Sequence, residues 1–200
     1  MRPVDRNELV ARVRSQIKRK RFADAMRESF YASMEAAIVD PLTGLNNRRY
    51  LDTHLGAMVA EAAARGKQVA VMVLDIDHFK QINDVHGHEV GDDILRGFAA
   101  RVRATIRSAD LLARMGGEEF VVAMPDTTLD KARKIAERLC AAVAGAPIVA
   151  GDGRCVSITV SVGVAANGRS SDANELLRRA DRALYRSKSE GRNRVSAEAA

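Results

Sequence analysis

The sequence contains no tryptophan, only two cysteines and four prolines among 200 residues, and its aromatic residues make up 4% of the chain. So few aromatic side chains argue against a series of stacking platforms for single-stranded nucleic acid. Two cysteines are too few for a disulfide scaffold, so we expect idle thiols and a cytoplasmic protein. The longest apolar runs, such as residues 69–74, are too short to span a membrane, and no apolar signal segment follows Met1.

The net charge of +6 is concentrated near the two ends of the chain. Residues 1–40 contain nine Lys or Arg and six Asp or Glu, and residues 178–194 contain seven and two. Six basic residues between Arg12 and Arg21 are compatible with binding to nucleic acid or acidic lipid. A solvated helix face explains the same run more simply, because no stacking platform accompanies it, so we expect no nucleic-acid partner.

The chain length predicts one domain and a fraction, and the spacing of apolar residues predicts its elements. Residues 5–39 lack Pro and Gly and are predicted to form one long helix. Its apolar stripe suits either a partner helix or the chain's own domain, and consists of Phe22, Met26, Phe30, Met34 and Ile38. The Asp-Pro-Leu-Thr-Gly segment at residues 40–44 ends this helix.

Helices and strands alternate beyond residue 44. We predict helices at residues 48–64, from Gly91 through Val102, at 129–143 and at 175–187. We predict strands at residues 69–74, 111–115, 120–124 and 156–164, the second and third being joined as a hairpin around Gly116 and Gly117. This order predicts an α/β or α+β domain with a mixed sheet.

Two acidic segments lie next to the predicted strands. Asp75 and Asp77 directly follow a buried strand, at the position where ligands and metals collect in open sheets. Their carboxylates suit Mg²⁺, although a solvated turn explains an Asp-x-Asp pair equally well. The Arg-Met-Gly-Gly-Glu-Glu-Phe segment at residues 114–120 is more specific. Its two glycines let a backbone approach a phosphate closely, and packing does not explain two acids at a hairpin tip. The alternative is an ordinary exposed turn, for which two glycines followed by acids are also well suited.

The chain resembles the diguanylate cyclase family, whose signature is GGDEF or GGEEF. The resemblance rests on residues 116–120 together with residues 40–49, 75–84, 87–92 and 180–193, in the family's order. It implies a cyclase domain over residues 40–200, with a five-stranded mixed sheet flanked by helices and related to nucleotidyl cyclases and polymerase palms. Residues 1–39 would hold a remnant of the last helix of a receiver domain and a coupling helix, the rest of that N-terminal receiver domain being missing.

The resemblance also implies an activity. Two GTP molecules would be condensed into cyclic di-GMP and two pyrophosphates, as part of bacterial second-messenger signalling by a two-component response regulator. In a two-fold homodimer, the 3′-hydroxyl of one GTP would attack the α-phosphorus of the other, with two Mg²⁺ or Mn²⁺ ions per active site. Cyclic di-GMP would also inhibit the enzyme. The alternative is a catalytically silent receptor for cyclic di-GMP or GTP, against which the intact acidic residues argue.

The matching positions assign roles to individual residues. The catalytic residues would be Asp75, Lys80, Glu118 and Glu119, and the metal ligands would be Asp75, Glu118, Glu119 and the carbonyl oxygen of Ile76. GTP would contact Gly116 and Gly117 at the turn, Asn83 and Asp92 at the guanine, Lys80, Lys188 and Arg192 at the triphosphate, and also Phe79 and His88. The inhibitory site would consist of Arg107, Asp110 and Arg138, the last acting from another subunit. We expect no zinc site at His78, His86 and His88, since no cysteine lies near them in the sequence.

Overall fold

The structure, a computed structural model, describes residues 12, 14–24, 26–27, 38–168 and 172–198. The chain divides into two compact units, Met1–Ile38 and Val39–Ala200. In the first unit, residues 14–24 are helical, and Phe22 and Met26 are exposed. The long helix predicted over residues 5–39 is therefore described only in part. Phe30 and Met34 of its predicted stripe lie outside the described residues.

A mixed sheet organises the second unit. The strands are β1 (Asn46–Asn47), β2 (Val69–Ile76), β3 (Leu111–Gly116), β4 (Glu119–Pro125), β5 (Ile148–Val149), β6 (Cys155–Val156), β7 (Val160–Ala166) and β8 (Val195–Glu198). Six of them form one sheet in the order β1-β3-β4-β2-β7-β8, and β5 pairs separately with β6. Strand β2 is antiparallel to both of its neighbours, and all eight of its residues are buried. Its continuous apolar run therefore reflects a strand covered on both faces.

Helices cover both faces of this sheet. They are α1 (Arg48–Ala64), α2 (Phe79–His86), α3 (His88–Thr105), α4 (Leu129–Ala144) and α5 (Ala173–Ser189). Helices α1 and α5 pack on one face through Leu51 and Leu176, and α3 and α4 pack on the other through Phe98 and Leu139. Because successive side chains of β2 alternate between the faces, this single strand contributes to both cores. The side chains of Asn47, Thr128 and Asp172 each accept a hydrogen bond from a first-turn amide, which explains where α1, α4 and α5 begin.

The predicted mixed sheet between helices is confirmed, with two differences in its strands. The main sheet has six strands rather than five, because the two-residue strand β1 extends one edge by pairing in parallel with β3. The strand predicted over residues 156–164 is divided into β6 and β7. Between them, Thr159 bonds to Asp77 through both its carbonyl oxygen and its hydroxyl, so the chain leaves the strand ladder there.

Four elements were not predicted at all, namely β1, β5, α2 and β8. Helix α2 has eight mostly polar residues, and β8 has four, so neither shows a clear periodicity in the sequence. Helix α3 begins at His88, three residues before the predicted start at Gly91. Among the described residues, no helix is both long and apolar enough to cross a membrane.

Candidate active site at the hairpin tip

Two carboxylates meet where β2 ends and β4 begins. Asp75 is the register partner of Glu119 in this antiparallel pair, so the two side chains point to the same side of the sheet. Asp75 is only 6% exposed, whereas Glu119 lies at the surface. Beside them, the amide of Ile76 donates to the carbonyl oxygen of Glu118 at 3.4 Å and holds the turn against the end of β2. Strand register thus brings together two of the predicted catalytic residues.

Lys188 supplies positive charge to this carboxylate pair. Its Nζ lies 2.7 Å from Oδ2 of Asp75, and it reaches this position from the last turn of α5. Burial raises the pKa of Asp75, and the hydrogen bond and charge of Lys188 lower it. The neighbouring carboxylates of Glu119 and Asp77 raise the pKa further, which leaves it above its ordinary value. Burial is the largest of these causes, and the Lys188 ammonium group does not fully offset it.

The donor set at this position fits a divalent cation. Mg²⁺ in nucleotide sites commonly binds one or two carboxylates and takes its other ligands from phosphate and water. Asp75, Glu119 and the Ile76 carbonyl oxygen are donors of this kind, and a cation would relieve the repulsion between the carboxylates. In the part of the chain that the structure describes, no three Asp, Glu, His or Cys side chains form a metal-binding group. The role of Glu118 as a further metal ligand stays a prediction.

The hairpin tip is open above two glycines. Gly116 and Gly117 have φ angles of +144° and +51°, which side chains other than glycine adopt only with strain. A Cβ atom at either position would meet nothing within 4 Å, so the surface above the turn is accessible to a ligand. Arg114 holds the turn by donating from Nη2 and Nε to the Gly117 carbonyl oxygen at 2.7 and 3.0 Å. Its Nη1 donates to Oδ1 of Asp40 at 3.1 Å.

An unpaired acceptor lies where α2 meets α3. Oδ1 of Asn83 is buried and has no hydrogen-bond partner among the described residues. It packs against Gly91 so closely that a Cβ atom there would overlap it. A buried polar atom without a partner costs about 1–3 kcal/mol, so this oxygen is suited to a donor from a ligand. Asp92, half-buried, follows Gly91 directly on α3 and places a carboxylate nearby in the sequence.

The other predicted GTP contacts differ in what they can offer. Phe79 is 6% exposed and belongs to the core, so its backbone and not its side chain is available to a nucleotide. Lys80 and His88 are exposed in the first turns of α2 and α3. Arg192 is exposed after the end of α5. Of the three predicted phosphate-binding cations, Lys188 has an ion pair within the described residues, and its partner is Asp75.

The three residues predicted for inhibition line one depression of about 380 Å³. Nη2 of Arg107 donates to Oγ1 of Thr127 at 2.7 Å and to Oδ1 of Asp110 at 3.2 Å. The Asp110 side chain has no exposed area, and it also accepts from the Arg107 amide at 2.9 Å. Both carboxylate oxygens of Asp110 therefore contact Arg107, and a contact of Asp110 with cyclic di-GMP stays a prediction. Arg138, predicted to act from another subunit, lies in the same depression of the same chain and donates to the Thr105 carbonyl oxygen at 2.6 Å.

The resemblance did not assign site roles to three residues that the structure places around the hairpin. Asp40 lies within a segment that carries the resemblance, and Arg114 lies two residues before another, but only the fold shows that they meet. Asp77 forms a pair with Asp75 in the sequence, yet its carboxylate accepts hydrogen bonds from Thr159 and Ser161. A pattern of acidic residues could have indicated Asp40 and Asp77. It could not have shown whether each carboxylate binds a ligand or forms buried hydrogen bonds within the chain.

Comparisons with known proteins place this site in a family. The family model described as "Diguanylate cyclase, GGDEF domain" matches residues 37–194. The chain is 47% identical over 201 residues to the response regulator PleD of Caulobacter vibrioides, and this match covers 100% of this chain and 44% of that protein. It is 41% identical over 192 residues to the diguanylate cyclase DgcP of Pseudomonas aeruginosa, which covers 94% of this chain and 28% of that protein. The chain thus spans less than half the length of these two relatives.

Solved structures have the same fold. The coiled coil and GGDEF domain of DgcB from Caulobacter crescentus, in complex with c-di-GMP, has a TM-score of 0.84 and 32% identity, over 95% of this chain and 99% of that one. The active GGEEF domain of a diguanylate cyclase from Vibrio cholerae has a TM-score of 0.70 and 32% identity, over 76% of this chain and 96% of that one. The residues that the family model matches include the carboxylate pair and the glycine turn. The chain therefore belongs to the GGDEF-domain family of diguanylate cyclases.

Proposed function

We propose that this chain is a Mg²⁺-dependent diguanylate cyclase that converts two GTP molecules into cyclic di-GMP and two pyrophosphates. The observation that carries this proposal is the pairing of Asp75 with Glu119 at the GGEEF hairpin, with Lys188 2.7 Å from Asp75. The two carboxylates at this point suit the metal ion of a metal-bound triphosphate. The relative DgcP is a diguanylate cyclase by name, which supports the same reaction class.

One GTP binds to each chain between the hairpin and α2. The buried Oδ1 of Asn83 and the carboxylate of Asp92 accept hydrogen bonds from the amino group and N1–H of guanine. Adenine does not present this pattern of donors, so its binding would leave the acceptors unpaired. The amides at the start of α2, together with Lys80, Lys188 and Arg192, bind the phosphates. The glycine turn lets the backbone approach the nucleotide.

The reaction joins two such chains. The 3′-oxygen of one GTP forms a bond to the α-phosphorus of the other, the bond from that phosphorus to the bridging oxygen breaks, and pyrophosphate leaves. The hydroxyl proton passes to a carboxylate, for which Glu118 at the turn is the candidate. A divalent cation held by Asp75 and Glu119 would stabilise charge on the phosphate oxygens and on the leaving group. The same step with the roles exchanged closes the ring.

The depression around Arg107 provides a site for the product. Four cationic side chains line it: Arg107, Lys131, Lys134 and Arg138. Two phosphodiester groups of cyclic di-GMP match this charge, and a guanidinium group can stack on a guanine base. Product bound there would lower turnover, which makes the enzyme subject to feedback inhibition.

The first test follows pyrophosphate release from GTP and Mg²⁺ after bound nucleotide has been removed from the protein. We expect cyclic di-GMP, identified by chromatography and mass, with a specific rate that rises with protein concentration because two chains must meet. Glu119→Gln should abolish this turnover and leave the thermal transition unchanged, since Glu119 lies at the surface. Glu137→Gln, an exposed substitution on α4, is the matched control.

The same assay decides between an enzyme and a receptor. A receptor would bind cyclic di-GMP or GTP but release no pyrophosphate at any protein concentration, even when a fused coiled coil holds two chains together. Full activity of Glu119→Gln would also contradict the proposal, because the carboxylate pair would then have no part in the chemistry.

A further inference from the structure

Asp77 is a buried carboxylate with three hydrogen-bond donors. It is 4% exposed, and its Oδ1 accepts from Oγ of Ser161 at 2.6 Å. Its Oδ2 accepts from Oγ1 of Thr159 at 2.7 Å and from the backbone amide of Asn193 at 3.0 Å. Both oxygens are therefore already engaged, and three of the roughly four acceptor sites of the carboxylate are occupied by donors of the chain itself.

The third donor belongs to an unusual turn after α5. Gly191, Arg192 and Asn193 have φ angles of +111°, +61° and +46° in succession. Arginine rarely adopts a positive φ angle, and such a backbone persists only where its surroundings fix it. Two hydrogen bonds do so here, from the Arg192 amide to the Ser187 carbonyl oxygen at 3.0 Å and from the Asn193 amide to Asp77.

This turn carries Arg192, a predicted phosphate-binding residue whose side chain forms no ion pair within the described residues. Arg192 is exposed, whereas Lys188, one helical turn earlier, is held by Asp75. Neighbouring Arg182, Arg186 and Arg194 all form ion pairs with glutamates. The position of the Arg192 guanidinium therefore depends on the backbone of the turn, and the Asp77 carboxylate fixes that backbone on the side of β2.

We propose that Asp77 is a positioning residue for nucleotide binding: it holds the 191–193 turn so that Arg192 is placed for the triphosphate. The assignment rests on the proposed GTP site. It gives the two aspartates of the Asp75-x-Asp77 segment different tasks. Asp75 faces the ligand with Glu119, and Asp77 ties the C-terminal turn to the end of the same strand.

The test measures binding of 3′-deoxy-GTP with Mg²⁺ by calorimetry, because this nucleotide lacks the attacking hydroxyl and cannot react. Asp77→Ala and Arg192→Ala should each weaken binding about tenfold, the usual loss for a hydrogen bond to a charged group. The double variant should bind like either single variant, because Asp77 acts through Arg192. Ser161→Ala, which removes a donor that does not belong to the turn, should bind within about twofold of wild type.

A conservative variant separates positioning from metal ligation. Asp77→Asn retains an acceptor oxygen for Asn193 and Thr159, so it should bind 3′-deoxy-GTP nearly as well as wild type. Asp75→Asn should lose the Mg²⁺ dependence of binding. Equal losses in Asp75→Asn and Asp77→Asn would overturn the proposal and make Asp77 a ligand, as would additive effects of Asp77→Ala and Arg192→Ala.

Hydrogen exchange provides a readout that needs no nucleotide. In Asp77→Ala the Asn193 amide should exchange at least about tenfold faster than in wild type, and in Ser161→Ala it should remain protected. An unchanged exchange rate in Asp77→Ala would show that Asp77 does not hold the Asn193 amide, which would overturn the proposal. If wild type fails to bind 3′-deoxy-GTP, the proposed GTP site is overturned instead. The two failures can be distinguished because hydrogen exchange is measured without nucleotide.

Discussion

Arg114 and Asp40 form an ion pair across 74 positions of sequence, with Nη1 lying 3.1 Å from Oδ1. Their side chains are only 11% and 17% exposed. The same guanidinium donates two hydrogen bonds to the Gly117 carbonyl oxygen. The pair therefore joins the first turn of the domain to the turn that carries Glu118.

Removing the guanidinium should release the hairpin tip. We expect Arg114→Ala to lower the rate of pyrophosphate release by at least about tenfold, because small errors in the position of a catalytic group cost large factors in rate. The free energy of unfolding should fall by about 3 kcal/mol, since a carboxylate is left partly buried and unpaired. Arg96→Ala, which breaks an exposed pair with Asp93 on α3, should change neither quantity appreciably.

Acid should weaken the same pair in a defined range of pH. Burial raises the pKa of Asp40, but hydrogen bonds from Thr43 and Arg114 and the charge of Arg114 outweigh it and hold the pKa below 3.8. A carboxyl group whose pKa is lowered by folding stabilises the protein above its unfolded pKa, and this contribution is lost as the pH falls through the folded pKa. Wild type should therefore lose more unfolding free energy below about pH 4 than Asp40→Asn does, as urea titrations from pH 6 to pH 2.5 would show. Parallel pH profiles would contradict the shift.

Two helical glycines provide a matched pair for the guanine site. In Gly91→Ala the new Cβ overlaps Oδ1 of Asn83, so we expect 3′-deoxy-GTP to bind at least about tenfold more weakly. In Gly56→Ala, on α1, the Cβ meets nothing within 4 Å. That variant should bind normally and gain about 0.5–1 kcal/mol of stability from helix propensity. Normal binding by Gly91→Ala would show that Asn83 does not contact the nucleotide.

Two substitutions in the depression around Arg107 should separate the loss of feedback inhibition from a loss of stability. Arg107→Ala should raise the cyclic di-GMP concentration for half-inhibition at least about tenfold while turnover without product survives, because a charged contact is lost far from the hairpin tip. Asp110→Ala should also relieve inhibition. It should in addition cost about 1–3 kcal/mol in unfolding, since it leaves the Arg107 amide without its acceptor. Inhibition that persists in both variants would place the product elsewhere.

The sequence predicted those parts of the fold that have a strong local pattern. The run at residues 69–74 gave the central strand, and the apolar residues on each side of Gly116 and Gly117 gave the hairpin. Helix α2 was missed because Phe79 is its only buried residue. The division of the strand near Thr159 was missed because its cause is a hydrogen bond to Asp77, 82 positions away.

The candidate site was predicted in the same uneven way. Motif matching named Asp75 and Glu119, and strand register explains why they are neighbours. It did not reveal that Phe79 turns its side chain into the core or that the Asp110 carboxylate is closed off by Arg107. A pattern of residue types does not encode which polar group faces a ligand and which holds another residue in place, because the decision depends on contacts made after folding.

The short outer strands of the main sheet limit how a second copy of the chain can approach. Strand β1 has two residues and β8 has four, and Glu198 at the end of β8 is paired with Arg182 and Arg186. Such edges offer another chain little backbone for continuous strand pairing. Two copies that bring their substrates together would then meet across nucleotides and side chains, and each could separate from the other without breaking its own sheet.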